Sequence, residues 1–229
     1  MLIGGFQKFS MIDYPEKLSA IVFTQGCNLK CPYCHNPELN NLEYNSNQIS
    51  EDYILNFLKT RQGKLDAVVI TGGEPTLQKD LISFAKKIKD LGFLLKLDTN
   101  GTQPNVIEKM LKENLLDYIA MDIKTSPKKY FMFSKNHFDL TNITSSINLI
   151  INSKIDYEFR TTVIKNLLTV DDFNEMGLML NGANKYYLQK FAPTKILDKS
   201  FITSQSYSNE EFEKIKEILT KHIKNIELR

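Results

Sequence analysis

All three cysteines of the chain fall between residues 27 and 34. Cys27, Cys31 and Cys34 form a C-x3-C-x2-C pattern, an odd count too tightly clustered for a disulfide framework. Three thiolates on one loop can hold three corners of a cubane iron–sulfur cluster, leaving the fourth iron open to a small molecule. The competing chemistry is zinc held by the three cysteines and His35. His35 directly follows Cys34, and adjacent residues seldom both point at one tetrahedral ion, so iron is the stronger reading.

Three further features carry chemical potential. In Thr71-Gly72-Gly73-Glu74-Pro75, two glycines allow close backbone approach and Glu74 offers an acceptor to an ammonium group. An ordinary strand-to-helix turn would look similar. Asp98 and Asp122 each interrupt an apolar run, and a carboxylate buried there needs a partner. Two at equivalent depth suggest a shared cation, or an amine or hydroxyl ligand. Lys124 and Arg160, near the same strand ends, suit a carboxylate.

These residues need a scaffold, and hydrophobic patterning supplies one. Strands are predicted at 19–25, 66–71, 93–99, 116–124, 156–164 and 185–191, alternating with helices at 50–61, 77–92, 104–115, 141–153, 169–181 and 208–223. Ser50 is the expected N-cap of the first helix, and Pro104 opens the third. Thr169 with Asp172, and Ser208 with Glu211, have capping-box spacing. Six strand-then-helix units imply a parallel sheet with right-handed crossovers. Either an open doubly wound sheet or a barrel short of eight units satisfies that pattern. In both, ligands gather at the C-terminal edge of the strands, where the cysteine loop, the Gly-Gly-Glu turn, Asp98, Asp122 and Lys124 all fall.

Composition sets the outer bounds. With 229 residues, 42% hydrophobic and 24% charged, the chain reads as one globular domain over 1–229. A net charge of +2 gives no reason to expect nucleic acid. No apolar run approaches the ~20 residues of a spanning helix, and no signal peptide opens the chain, so the expectation is a cytoplasmic protein without membrane contact.

The motifs together resemble a known family. Cys-Asn-Leu-Lys-Cys-Pro-Tyr-Cys (27–34) resembles the signature of radical S-adenosylmethionine (SAM) enzymes, with Tyr33 as its aromatic, and TGGEP resembles their Gly-Gly-Glu motif. The stretch 4–39 is similar to activating proteins of glycyl radical enzymes, most of all that of anaerobic ribonucleoside-triphosphate reductase, with pyruvate formate-lyase activating enzyme a near relative. A family motif of type G-x-I-x-G-x-x-E is absent from 163–170, and a late histidine has no match near 190–195.

The resemblance implies an α/β fold, a partial (β/α)6 TIM-like barrel with parallel strands. It implies one [4Fe–4S] cluster held by Cys27, Cys31 and Cys34, and SAM as cofactor. Tyr33, Gly72, Gly73, Glu74, Asp98, Thr99, Asp122, Lys124 and Arg160 would then bind the cofactor, with or without a monovalent cation at the aspartates. The implied reaction is reductive cleavage of SAM and abstraction of a glycine Cα hydrogen on a partner enzyme, with flavodoxin or ferredoxin as electron donor. A radical SAM enzyme acting on a small molecule and a non-catalytic zinc module are the alternatives. Six units leave a barrel open, wide enough for a peptide loop. Tyr44, Tyr130, Phe131, Phe133 and Phe138, in the long connections, are candidates to grip its owner.

Replacing any one of Cys27, Cys31 or Cys34 with Ala is expected to abolish SAM cleavage, followed as methionine release under anaerobic reducing conditions. Full turnover in Cys31→Ala would end the cluster reading.

Overall fold

The computed structural model describes residues 1–41, 48–134 and 139–229. Its eight strands are β1 (Ile3–Ser10), β2 (Ser19–Thr24), β3 (Ala67–Gly72), β4 (Leu94–Thr99), β5 (Tyr118–Asp122), β6 (Asp156–Val163), β7 (Lys185–Lys190) and β8 (Asn225–Leu228). The helices between them are α1 (Glu51–Lys59), α2 (Leu81–Asp90), α3 (Pro104–Lys112), α4 (Leu140–Ile151), α5 (Val170–Met179) and α6 (Asn209–Leu219). All six predicted strands and six predicted helices are present.

The strands form one sheet in sequence order, β1 to β8. β1 pairs antiparallel with β2, and every later neighbour is parallel. Sequential parallel order with right-handed crossovers puts every helix on the same face. That order excludes a doubly wound sheet, which needs a reversal in strand order. The result is an incomplete barrel with β1 and β8 as its edges.

Strand residues alternate accordingly. Val22, Val68, Ile70, Leu95, Leu97, Ile119, Met121, Phe159 and Leu188 face the helices and form the main core. The opposite face is apolar near the N-terminal edge, where Ile21, Ala67, Val69 and Ala120 pack with Tyr14 and Tyr118. The Tyr14 ring lies 5.6 Å from that of Tyr118. Tyr14 belongs to the β1–β2 connection, which thus covers the floor of the barrel; Lys96 Nζ donates to the Asp13 carbonyl there at 2.6 Å. Higher up, the inner face carries charge.

Two strands went unpredicted. β1 has no clean apolar alternation because it is an edge strand, and β8 has only four residues. The predicted caps form: Ser50 accepts from Tyr53, Pro104 opens α3, and capping boxes stand at Thr169/Asp172 and Ser208/Glu211. The second helix begins later than expected, after a short 3₁₀ turn at Pro75–Leu77.

The long connections also hold 3₁₀ turns, at Pro37–Leu39, Pro127–Phe133 and Lys199–Thr203. This corrects the partner-gripping aromatics. Tyr130 and Phe133 are buried, the first with its hydroxyl accepting from Lys124 N at 3.1 Å, the second with its ring 5.9 Å from Tyr33. Phe131 alone of the described three is exposed, and Tyr44 and Phe138 lie outside the described residues. Among the described residues, no helix is long and apolar enough to cross a membrane.

Asp172 ties this rim connection to α5. Its carboxylate accepts from Ser126 Oγ at 2.6 Å, from Lys129 Nζ at 2.5 Å and from Thr169 N at 2.7 Å. Burial alone would raise its pKa, but these donors outweigh burial and hold it at about 2. A folded pKa below the unfolded carboxylate value of about 3.9 stabilises above that value, and the contribution fades as pH falls towards the folded pKa. Asp172→Ala is expected to lose about 2 kcal/mol at pH 7 in urea unfolding. The gap from the parent protein should narrow as pH falls from about 4 to about 2.

Candidate active site at the strand C-terminal rim

The cysteine loop leaves the end of β2 and crosses the mouth of the barrel. All three thiols line one cavity of about 380 Å³, together with Tyr33, Gly72, Gly73, Glu74, Asp98, Thr99, Asp122, Lys124 and Arg160. Every residue read in the sequence as a cluster ligand or cofactor contact therefore lines the same space.

Leu29, Tyr33, Phe133, Ile164, Leu167 and Phe191 form an apolar shell around the cysteines. Burial pushes the Cys31 thiol up to about 12, against the nearby Lys124 ammonium, which pulls it down. Burial, then the Glu74 carboxylate, also raise Cys27, while the Leu29 N–H and Lys124 act in the opposite sense. Thiols in so dry a setting stay protonated unless bound positive charge compensates them, and thiolate ligation by metal supplies that charge. The donor set fits an iron–sulfur cluster: three soft sulfurs, Cys31 buried and Cys27 and Cys34 half-buried, facing an open cavity from an apolar shell. His35 borders the same cavity. Its ring stacks on Phe191 with centroids 6.2 Å apart and planes 7° from parallel. Among the described residues, no three His, Cys, Asp or Glu side chains converge as a single-ion site requires.

The two glycines answer to the chain's own backbone. Gly72 has φ +117°, and a Cβ there would lie 2.4 Å from the Thr24 backbone. A Cβ on Gly73 would sit 2.2 Å from the Gly26 carbonyl oxygen. Gly73 N donates to Thr24 O at 2.9 Å, and Glu74 N donates to Gly26 O at 2.8 Å. The Gly-Gly turn is thus what allows the cysteine loop to lie directly on the end of β3.

Glu74 is buried and densely bonded. Oε1 accepts from Thr76 Oγ1, from Thr76 N at 3.1 Å and from Thr99 Oγ1 at 2.7 Å; Oε2 accepts from Asn100 N at 2.6 Å. Burial raises its pKa, and these donors pull the other way. The carboxylate joins the tips of β3 and β4. Tyr33 packs on Phe133 and directs its hydroxyl to the Lys124 carbonyl at 3.4 Å.

The shared cation of Asp98 and Asp122 is Arg160. Its NH1 lies 3.3 Å from Asp98 Oδ2 and its Nε 2.8 Å from Asp122 Oδ1. Lys124 Nζ adds a second contact to Asp122 at 2.9 Å, and Lys96 Nζ lies 3.0 Å from Asp98 Oδ1. Burial would push the Asp122 carboxyl up, but Arg160 and then Lys124 hold it well below the usual carboxylate range. Register explains the meeting, since Asp122 and Arg160 are direct partners on β5 and β6. Sequence reasoning missed Asn28, Asn100 and Thr102, which bond to one another beside Cys27. Asn100 stood in the Asp-Thr-Asn-Gly turn, where its type signals only a turn.

Comparisons with known proteins give the chain a family and a fold. The profile of the Radical SAM superfamily matches residues 21–176. A protein of Methanocaldococcus jannaschii, provisionally named a glycyl-radical enzyme activating enzyme, is 37% identical over all of this chain and 95% of its own length. The pyruvate formate-lyase-activating enzyme of Clostridium pasteurianum is 27% identical over 80% of this chain and 84% of its own. Among solved structures, SuiB of Streptococcus suis bound to precursor peptide SuiA superposes with a TM-score of 0.68 at 16% identity. That match covers 91% of this chain and only 48% of the SuiB chain, so this chain spans about half the length of that structure.

Glu74→Gln is expected to lower the stability of the metal-free protein by about 1–3 kcal/mol, because an amide cannot accept on both atoms from the donors now in place. Urea unfolding of the unloaded protein measures it. An unchanged midpoint would show that the carboxylate does not tie β3 to β4.

Proposed function

The chain belongs to the radical SAM superfamily, and on that footing we propose that it activates a glycyl radical enzyme by removing a hydrogen atom from a glycine Cα of that partner. The observation that carries the reading is the full-length likeness to the M. jannaschii protein. We take residues 1–229 as one radical SAM domain.

In this reading Cys27, Cys31 and Cys34 hold one [4Fe–4S] cluster, and the apolar shell keeps water from it. When bound, the cluster supplies the electron for reductive cleavage of SAM. Glu74 Oε2 takes one internal hydrogen bond, and a carboxylate oxygen has a second lone pair for the cofactor's ammonium. An ammonium has three donors, so the ion pair to Asp122 leaves Lys124 able to meet the cofactor's carboxylate. Gly72, Gly73 and Thr99 line the same wall, and Tyr33 borders the cluster side. A monovalent cation at Asp98 and Asp122 would share them with Arg160.

The partner proposed first is anaerobic ribonucleoside-triphosphate reductase, supported by the motif spelling across 4–39. The likeness to the C. pasteurianum enzyme favours formate lyase as the second. A small acidic one-electron carrier, flavodoxin or ferredoxin, would supply the electron. The experiment mixes anaerobically reconstituted protein, reductant and SAM with each purified partner in turn. A glycyl radical signal on one of them, in step with methionine release, is the expected result. Turnover of a small metabolite with no radical on either protein would overturn the assignment.

A further inference from the structure

Asn100 sits at the tip of β4, and its side chain is oriented on every side. Its Oδ1 accepts from Thr102 N at 3.0 Å and from Thr102 Oγ1 at 2.7 Å. An amide whose oxygen is so occupied must turn its NH2 the other way. There Nδ2 donates to Asn28 Oδ1 at 3.0 Å and to Cys27 Sγ at 3.8 Å. Asn28 is fixed in turn, because its own Nδ2 donates to Thr102 Oγ1 at 2.8 Å. The three side chains close a ring that joins the cysteine loop to the β4 turn across more than 70 residues of sequence. The backbone beneath it is held as well: Asn100 N donates to Glu74 Oε2 at 2.6 Å, and Ser146 Oγ of α4 donates to Gly101 O at 2.6 Å.

We propose that Asn100 is a positioning residue for Cys27 whose amide N–H bond to the cysteine sulfur raises the reduction potential of the bound cluster. The proposal rests on the cluster reading above. Hydrogen bonds to ligating sulfurs are one of the protein's levers on cluster potential. Reduction adds negative charge shared over iron and sulfur. A donor whose positive end points at a sulfur stabilises that added charge, so the reduced form is favoured. Leu29 N also donates to Cys27 Sγ, at 3.5 Å, but as a backbone group it cannot be tuned by substitution. Asn100 is a side-chain donor to the same sulfur. Asn100 is itself buried, with 5% exposure, so its amide points at the sulfur from inside the protein while Cys27 is half-buried at the cavity wall. The same network that carries the Gly-Gly-Glu carboxylate thereby reaches one cluster ligand.

Two variants test it. Asn100→Ala removes the donor. Asn100→Asp keeps an oxygen for Thr102 but points a second oxygen at Cys27 in place of N–H. Both are reconstituted anaerobically beside the parent, with iron and sulfide assayed, and the potential is read by redox titration of the cluster's absorption or paramagnetic signal. At a fixed poise near the parent midpoint, the reduced-to-oxidised ratio is expected to fall about tenfold in Asn100→Ala, equivalent to about 59 mV for one electron. Asn100→Asp should fall further, since it replaces attraction with repulsion. If Asn100→Ala fails to take up iron, the near-isosteric Asn100→Asp decides alone. Equal potentials in parent and variants, at equal iron content, would overturn the proposal. Failure of the parent itself to take up iron and sulfide would instead strike the cluster reading, which the iron assay reports separately.

Discussion

The arrangement of the rim depends on one buried carboxylate. Moving an ionised carboxylate out of water costs several kcal/mol unless donors replace the lost hydration. Glu74 meets that cost with donors from two different strand ends, Thr76 after β3 and Thr99 and Asn100 at the end of β4. A group that must collect donors from separate segments fixes those segments relative to one another. Here the fixed segments carry the cysteine loop, because the Gly72–Gly73 turn lies against the Thr24–Gly26 backbone. Loops at the mouth of a barrel are ordinarily its most mobile parts. In this chain the cysteine loop is bonded to the tips of β3 and β4, so its sulfurs have a defined frame.

The barrel's inner face makes a different compromise. Lys96, Asp98, Arg160, Asp122 and Lys124 alternate in sign along three adjacent strands, with Glu158 pairing Arg160 and Arg229 below them. A dry core of aliphatic residues would be at least as stable as buried ion pairs. The charges instead give the cavity wall oriented donors and acceptors whose net charge is small. A zwitterionic ligand, with an ammonium and a carboxylate close together, is suited to such a wall. The sheet can carry this face because the barrel stays open between β1 and β8 and the helices cover only its outside. Bulk stability therefore comes from the outer core, while the inner face is free to be polar.

The chain's own sequence determined the helices, the parallel strands and the chemistry-bearing residues. Local signals sufficed for these. Caps such as Ser50, Thr169 and Ser208 act within one helical turn, and the apolar runs of β2 to β7 report burial wherever they are placed. Position at or just beyond the C-terminal end of each strand then sent the cysteines, Glu74, Asp98 and Asp122 to one rim. What local patterning lacked was any trace of β1 and β8, since an exposed edge strand and a four-residue strand need little hydrophobic periodicity.

Residue patterning left two sheet windings open, because strand order is a long-range property with no local signature; the motif resemblance implied the barrel, and the tertiary structure shows it. It alone showed that the partner of Asp98 and Asp122 is Arg160, a pairing set by register across β4, β5 and β6. It also gave the two cavity-lining glycines a second neighbour, the Thr24 and Gly26 backbone of the same chain. Tyr130 and Phe133, which look like surface aromatics in a polar connection, are buried because that connection folds back under Tyr33 as a 3₁₀ turn. Residue type and spacing reveal which groups could do chemistry. Which atoms each group meets is settled by contacts between residues tens of positions apart, and those exist only once the chain has closed on itself.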